Sequence, residues 1–268
     1  MVSVILVTFN SEKYIREALV RVLKQTYKNI EVIIIDNNSK DSTKRILSRM
    51  NYKFTLIENS KNVGFSKANN QGIKLAKGEY ILTLNHDAYL SLSYVENIVK
   101  FMDKNPMVGS CQGIYYRNLQ KTKVDSCGIY LNFGFSANDI KRVPRENKEI
   151  LACCAAACIY RKSVILKCKL FDPTYISYYE DLDLGVKIKR AGYKNYFIKS
   201  AESIHLRGNP NNFMNLKLSF INKYKFLRKY RSKKVVFIAK IYDTLKFPIY
   251  IARNIKFTKT YLLLLFKT

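Results

Sequence analysis

The first half of the chain alternates short, nearly unbroken apolar runs with stretches whose apolar residues recur at helical spacing. Val2-Ser3-Val4-Ile5-Leu6-Val7-Thr8 predicts a strand. After it, Ile15, Ala18, Leu19, Val22 and Leu23 share one helical face behind an N-cap candidate in Asn10-Ser11. Ile30-Glu31-Val32-Ile33-Ile34-Ile35 predicts a second strand, and Asp41-Ser42 can open a second helix. Phe54-Thr55-Leu56-Ile57 predicts a third, followed beyond Asn62-Val63-Gly64-Phe65 by a helix through Ala68, Ile73 and Ala76. Ile81-Leu82-Thr83-Leu84 is a fourth, too short for a helix and preceded by the turn-like Lys77-Gly78-Glu79. Near-continuous apolar strands separated by helices imply a mostly parallel sheet covered on both faces, a Rossmann-like α/β half.

These runs stop at polar residues: Thr8 and Asn10, then Asp36-Asn37-Asn38-Ser39, then Asn85-His86-Asp87. In open α/β sheets ligands bind beyond the carboxyl ends of strands, which makes these residues binding candidates, although Asn and Asp also serve simple turns. Alternation along an extended segment turns His86 away from the partner of Asp87, so His86 is not expected to be a ligand. No GxGxxG follows the first strand and no GxxxxGK[ST] occurs, which removes the main support for dinucleotide and P-loop readings.

Further on, Val95, Ile98, Val99 and Met102 predict a helix within 91–104, and a short strand resumes at 107–111. Residues 117–148 are polar, basic and turn-rich, suited to an acceptor-side flap or to an ordinary surface loop. A later helix begins with Glu180, Asp181 and Asp183 and ends with Lys187, Lys189 and Arg190 before Gly192, a charge order that complements the helix dipole. The aromatic lead-in Tyr178-Tyr179 is not explained by that complementarity. His205 follows a predicted strand over 196–199.

Composition narrows the class. The chain has 268 residues, 48% of them hydrophobic, enough for a substantial core. Its formal net charge of +27 calls for an anionic partner surface, whether nucleic acid, phospholipid or a phosphate-bearing substrate. The opening Met1-Val2-Ser3-Val4 has no basic leader and is not a secretory signal, so a reducing cytosol is expected. Among the six cysteines, Cys153, Cys154 and Cys158 lack paired CxxC spacing and read as small buried apolar residues.

Five motifs in order carry a resemblance: Val4-Ile5-Leu6-Val7-Thr8-Phe9-Asn10; Ile35-Asp36-Asn37-Asn38-Ser39 with Asp41; Asn62-Val63-Gly64-Phe65 with Asn69-Asn70-Gln71-Gly72; Leu84-Asn85-His86-Asp87; and Tyr179-Glu180-Asp181-Leu182-Asp183. The chain resembles family 2 glycosyltransferases over about residues 1–208, most of all the rhamnosyltransferase-type members, which have a GT-A fold. The resemblance implies inverting transfer of a sugar from a nucleotide-diphosphate donor, dTDP-rhamnose or a UDP-sugar, to a glycan or lipid-linked hydroxyl. It implies a divalent cation, Mg²⁺ or Mn²⁺, on the diphosphate, stabilising its growing charge. By position, Thr8, Asn10, Asp36, Asn38, Asn69 and Asn85 would line the donor site. Asp87 and His205 would hold the metal, Asp181 would be the general base, and Glu180 would orient acceptor or base. Asp183 would cap or pair locally. The family often has Asn-Pro-Asp or Asp-x-Asp where this chain has Asn85-His86-Asp87, so one hard oxygen ligand is lacking, and neutral His205 could complete the shell. Ala155-Ala156-Ala157 stands where many members have Gly-Ala, narrowing the space there.

Residues 209–268 form a second expected unit. From Arg207 onward there are fifteen Lys or Arg and one acid, Asp243, interleaved with Phe226, Leu227, Tyr230, Val235, Ile238, Ile241, Leu245 and the run 261–266. Such a basic amphipathic stretch suits an anionic membrane surface, giving a cytoplasmic, peripheral enzyme; a helical pair packed as ordinary core is the other reading. A catalytically degenerate sugar-nucleotide binder and a basic nucleic-acid-binding protein are the rival functions. The nucleic-acid rival leaves the polar strand ends and the Glu-Asp helix unexplained, and no nucleic-acid partner is expected.

Overall fold

The computed structural model describes residues 1–207 and 213–253, with side chains described over 1–207 and 216–245. The apolar run 261–266 of the expected amphipathic stripe lies outside the described residues.

The elements follow in chain order. They are β1 (Val2–Thr8), α1 (Ile15–Leu23), β2 (Ile30–Asp36), α2 (Thr43–Ser48), β3 (Thr55–Glu58), α3 (Phe65–Leu75) and β4 (Tyr80–Asn85). Then come β5 (Ala88–Leu90), α4 (Tyr94–Lys104), β6 (Val108–Tyr116), β7 (Val124–Ser126), β8 (Ile129–Leu131), β9 (Ala137–Asp139) and β10 (Lys148–Ile150). The last are β11 (Ala157–Arg161), α5 (Lys162–Lys167), α6 (Glu180–Arg190), β12 (Lys194–His205), α7 (Phe213–Tyr230) and α8 (Lys233–Arg253).

The chain divides into two compact units. The larger comprises Met1–Tyr130, Asp139–Ile176 and Glu180–Gly208; the smaller is not the C-terminal stretch alone, because it also takes in Leu131–Asn138 and Ser177–Tyr179.

In the larger unit the sheet runs β10-β12-β6-β11-β4-β1-β2-β3. The strands β4, β1, β2 and β3 are parallel, as the alternation of strands and helices predicts. Beyond β4 the sheet is mixed: β11 runs antiparallel to both β4 and β6, and β12 parallel to β6. Odd and even residues of one strand serve different layers, which is why the strands read as unbroken apolar runs. Val2, Val4 and Leu6 pack with α1 and α4, whereas Ile5, Ile33 and Ile81 pack with Ala68 and Ile73 of α3 and with Leu184 and Ile188 of α6. Gly72 lets α3 approach β1 closely, since a Cβ there would stand 2.5 Å from Ile5 Cγ2.

Three local expectations are corrected. Asn10-Ser11 does not cap α1; the cap position is Tyr14, and the Ser11 carbonyl accepts from the Tyr14 and Ile15 amides. The fourth strand ends at Asn85, and His86 and Asp87 form a turn into β5. His205 does not follow a short strand but ends one that extends from Lys194.

In the smaller unit, α7 buries Tyr224, Phe226 and Leu227 completely, so Phe226 and Leu227 of the predicted stripe are core. Lys223 Nζ lies 2.8 Å from Asp243 Oδ2 and Tyr224 Oη 2.7 Å from the same oxygen, a buried pair linking α7 to α8. Phe237, Ile238, Ile241 and Leu245 of α8 remain exposed. Among the described residues no helix is long and apolar enough to cross a membrane.

Candidate functional site

Two polar clusters form at the carboxyl ends of the central strands. In the first, β1 and β2 end side by side with Thr8 opposite Asp36. Thr8 Oγ1 donates to Asp36 Oδ1 at 2.8 Å, Ser39 Oγ to the same oxygen at 2.5 Å, and the Ser39 amide to Oδ2 at 2.9 Å. Asn10 and Asn38 are left-handed, with φ of 50° and 66°, a conformation that Asn tolerates better than most residues. Asn10 Oδ1 accepts the Lys40 amide at 2.8 Å, and Asn38 Nδ2 donates to the Ser60 carbonyl at 2.9 Å. The loop after β2 is thus pinned with Asp36 beneath it.

The second cluster arises from register. Antiparallel pairing of β5 with β12 sets Ala88 opposite His205, and the Leu206 amide donates to the Asp87 carbonyl at 3.1 Å. His205 Nε2 therefore stands 3.6 Å from Asp87 Oδ1 and 3.4 Å from Asn85 Nδ2. On the other side of the ring, Nδ1 lies 3.0 Å from Oδ2 of the fully buried Asp125 on β7. A carboxylate at Nδ1 accepts a hydrogen bond from the Nδ1–H, which leaves the Nε2 lone pair facing Asp87. Arg207 Nε donates to Asp125 Oδ2 at 2.8 Å and Nη2 to Asp139 Oδ2 at 2.7 Å. Burial raises the Asp125 carboxyl, but the His205 hydrogen bond and the Arg207 charge outweigh it and hold the group below the usual carboxylate range.

The acids opening α6 belong to the same electrostatic neighbourhood. Burial pushes Asp181 up to about 6; the Leu182 and Ala155 amides oppose the shift, Asp139 adds to it, and Arg207 opposes it. The Leu182 amide lies 2.8 Å from Asp181 Oδ1. Glu180 is buried, its Oε2 has no hydrogen-bond partner, and burial followed by the Asp181 charge drives it well above the ordinary range. Asp183 pairs with Lys187 at 3.2 Å, the local role expected of it. Ala155 and Ala156 are both buried, and the Ala156 carbonyl accepts the Asn85 amide at 2.8 Å.

Asn69 is buried on α3; its Nδ2 donates to the Phe65 carbonyl at 3.0 Å, and its Oδ1 is left without a partner. His86 bonds the Val7 backbone and lies 6.0 Å from the Tyr14 ring; because it sits in the turn after β4, strand alternation does not govern its direction. The six cysteines are free, five of them buried and Cys154 half-buried. Sequence reasoning missed Asp125, Asp139 and Arg207. Arg207 had a signal, being two residues beyond His205 and so on the same side of an extended chain; Asp125 and Asp139 lay in a polar stretch with none.

Among the described residues no cluster of three or more His, Cys, Asp or Glu could hold a metal ion. Asp87 and His205 nevertheless fit two neighbouring positions on one divalent cation. A carboxylate oxygen and an imidazole lone pair, 3.6 Å apart, match two ligands with bonds of about 2.1 Å to a shared ion. The carboxylate behind Nδ1 is the support such a histidine ligand requires.

Comparison with known proteins agrees with this architecture. The chain is 28% identical over 222 residues to an uncharacterized glycosyltransferase of Haemophilus influenzae, a match covering 78% of this chain and 66% of that one. It is 32% identical over 136 residues to the Escherichia coli UDP-Glc:alpha-D-GlcNAc-diphosphoundecaprenol beta-1,3-glucosyltransferase WfaP, covering 50% of this chain and 54% of that one. The chain thus spans less than two thirds of the length of each. The fold resembles the crystal structure of GalNAc-T7 with UDP, GalNAc and Mn2+, with a TM-score of 0.65, 14% identity, and 82% of this chain and 48% of that one covered. The sequence profile of glycosyl transferase family 2 matches residues 3–168, and on that match, with a GT-A fold beneath it, the chain belongs to glycosyl transferase family 2.

Proposed function

We propose that the chain transfers a sugar from a nucleotide-diphosphate donor to a hydroxyl of a glycan or lipid-linked saccharide, with inversion at the anomeric carbon. The observation that carries this reading is the buried acid pair Glu180 and Asp181, of which Asp181 is within electrostatic reach of Arg207 and hence of the network ending at His205 and Asp87. Inversion in one displacement needs a carboxylate to take the acceptor proton as the new bond forms. Asp181 suits that role, because with its carboxyl at about 6 it is ionised at neutral pH yet basic enough to accept a proton, and two amides fix it. Glu180 beside it, its carboxyl driven well above the ordinary range by burial and then by the Asp181 charge, orients the acceptor or the base.

Asp87 and His205 hold a divalent cation, Mg²⁺ or Mn²⁺, which when bound supplies charge stabilisation to the departing diphosphate. Asp36 with Thr8, Asn10 and Asn38 takes the base and ribose. Asn85 and the unpartnered Oδ1 of Asn69 face the rest of the donor. The name of WfaP gives a UDP-sugar donor and a diphosphoundecaprenol-linked acceptor for that protein, which supports the same classes here, dTDP-rhamnose being the alternative donor. The larger unit is the catalytic part and the C-terminal helices are its attachment to the cytoplasmic face of a membrane. The exposed stripe of Phe237, Ile238, Ile241 and Leu245 supports that placement. The one acid of the tail, Asp243, is buried against Lys223, so among the described residues the exposed charges of α8 beside these apolar side chains are lysines.

A thermal-shift screen of nucleotide sugars with and without Mn²⁺ tests the reading, because a ligand bound to the native state raises its melting temperature. One nucleotide sugar should stabilise the protein, more so with Mn²⁺. No stabilisation by any of them would contradict it. Sedimentation with vesicles tests the tail: binding to phosphatidylglycerol but not to phosphatidylcholine alone is expected, and loss of that binding in Phe237→Ser/Leu245→Ser.

A further inference from the structure

The two residues before Glu180 adopt a conformation that bulky L-residues seldom take. Tyr178 has φ 67° and Tyr179 φ 73°, both left-handed, and such backbone persists only where its surroundings over-determine it. The restraints come from within the smaller unit. Asn222 of α7 is 4% exposed, and its Nδ2 donates to the Ser177 carbonyl at 2.8 Å and to the Tyr178 carbonyl at 2.9 Å. The Tyr179 hydroxyl accepts the Ala137 amide at 3.1 Å, and its ring lies 5.9 Å from that of the fully buried Phe226. At this position a primary amide provides both bonds, because one nitrogen offers two protons.

We infer that Asn222 is a positioning residue for glycosyl transfer: by tying the Ser177 and Tyr178 carbonyls it fixes the left-handed lead-in, and through it the placement of Asp181 in the first turn of α6. The inference rests on Asp181 being the base. Only three peptide bonds separate Tyr178 from Asp181, so relaxation of φ at either tyrosine swings the first turn of α6. A displacement of about 1 Å at a reacting group costs about 10²-fold in rate. The body of α6 is anchored separately by buried Leu182, Leu184 and Ile188, so the lead-in can relax while the helix stays. Turnover thereby depends on Asn222, whereas donor affinity does not.

The test measures Asn222→Ala and Asn222→Asp in the wild-type and Asp181→Asn backgrounds. Asn222→Asp keeps the shape but offers only acceptors to two carbonyls. Both should lower kcat by about tenfold or more with the donor KM within about twofold, and neither should lower the residual rate of Asp181→Asn further. Hydrogen exchange at the 178–182 amides should quicken in both, with that of β1 unchanged. Wild-type kcat and exchange in both variants would overturn the inference, as would equal losses in the two backgrounds. Full activity in Asp181→Asn alone would instead remove the base assignment. The exchange measurement then still decides the tether, because unaltered exchange would show that Asn222 does not hold the lead-in.

Discussion

The strand ends on the two sides of β4 hold their acids in opposite ways. Toward β1 and β2, Asp36 is enclosed by short-range partners: Ser39 three residues on and Thr8 at the end of the adjacent strand. Toward β12, the acids and bases meet only through long-range pairing, with Asp125 and His205 80 residues apart and Arg207 and Asp139 68 apart. The first arrangement is close to saturated. The second contains Glu180, a buried acid with an oxygen that no donor satisfies, beside a base candidate with a raised pKa. A saturated loop is built to hold a shape, whereas a buried and incompletely paired acid pair stores reactivity. Substitutions on the first side should therefore be read in stability and donor affinity, and on the second chiefly in turnover.

The largest effect that would break or uphold this contrast is Asp181→Asn. It should lower kcat by about 10²–10⁴-fold while its melting temperature stays near that of the wild type; a large fall in melting temperature with normal kcat would invert the comparison. Next, Asp125→Asn should lower turnover by about 10- to 100-fold and raise the Mn²⁺ concentration needed for half-maximal rate, because His205 loses the group that orients it. Unchanged metal dependence would detach His205 from the cation. Asp36→Ala leaves the Thr8 and Ser39 hydroxyls and the Ser39 amide without their acceptor and should destabilise the fold by about 1–3 kcal/mol in urea titrations. The smallest effect sharpens the picture of that loop. Asn38→Ala should cost about 1 kcal/mol more than Asn38→Gly, since only the former strains at φ 66°.

The same contrast explains what was legible in the sequence. The parallel strands, the helices between them and the charge order of α6 are local patterns. Asp36 and His205 end strands, Asp87 lies in the turn after β4 and Asp181 in the first turn of α6, so their places follow from periodicity and from the family resemblance. Asp125 and Asp139 have no such handle: each sits in a three-residue strand within a polar stretch, and only pairing between strands far apart in the chain, as of β7 with β6 and β6 with β12, brings Asp125 to His205. The mixed half of the sheet was hidden for the same reason, because strand direction there depends on partners far along the chain. In the tail, helical spacing marked apolar residues without telling buried Phe226 and Leu227 from exposed Ile238 and Leu245.

The central claim is that Asp181 removes the acceptor proton at a site where the donor is bound independently of it. The pH dependence of kcat/KM, with donor Kd determined at each pH in the wild type and in Asp181→Asn, tests this most directly. With its carboxyl at about 6, Asp181 is protonated below that pH and ionised above it, so the wild-type rate should fall as pH drops through that value. Donor Kd should be flat and equal in both proteins, and the slow residual rate of Asp181→Asn should lack the acid limb. A wild-type rate that is level through that range, or an acid limb that survives in Asp181→Asn, would contradict the account.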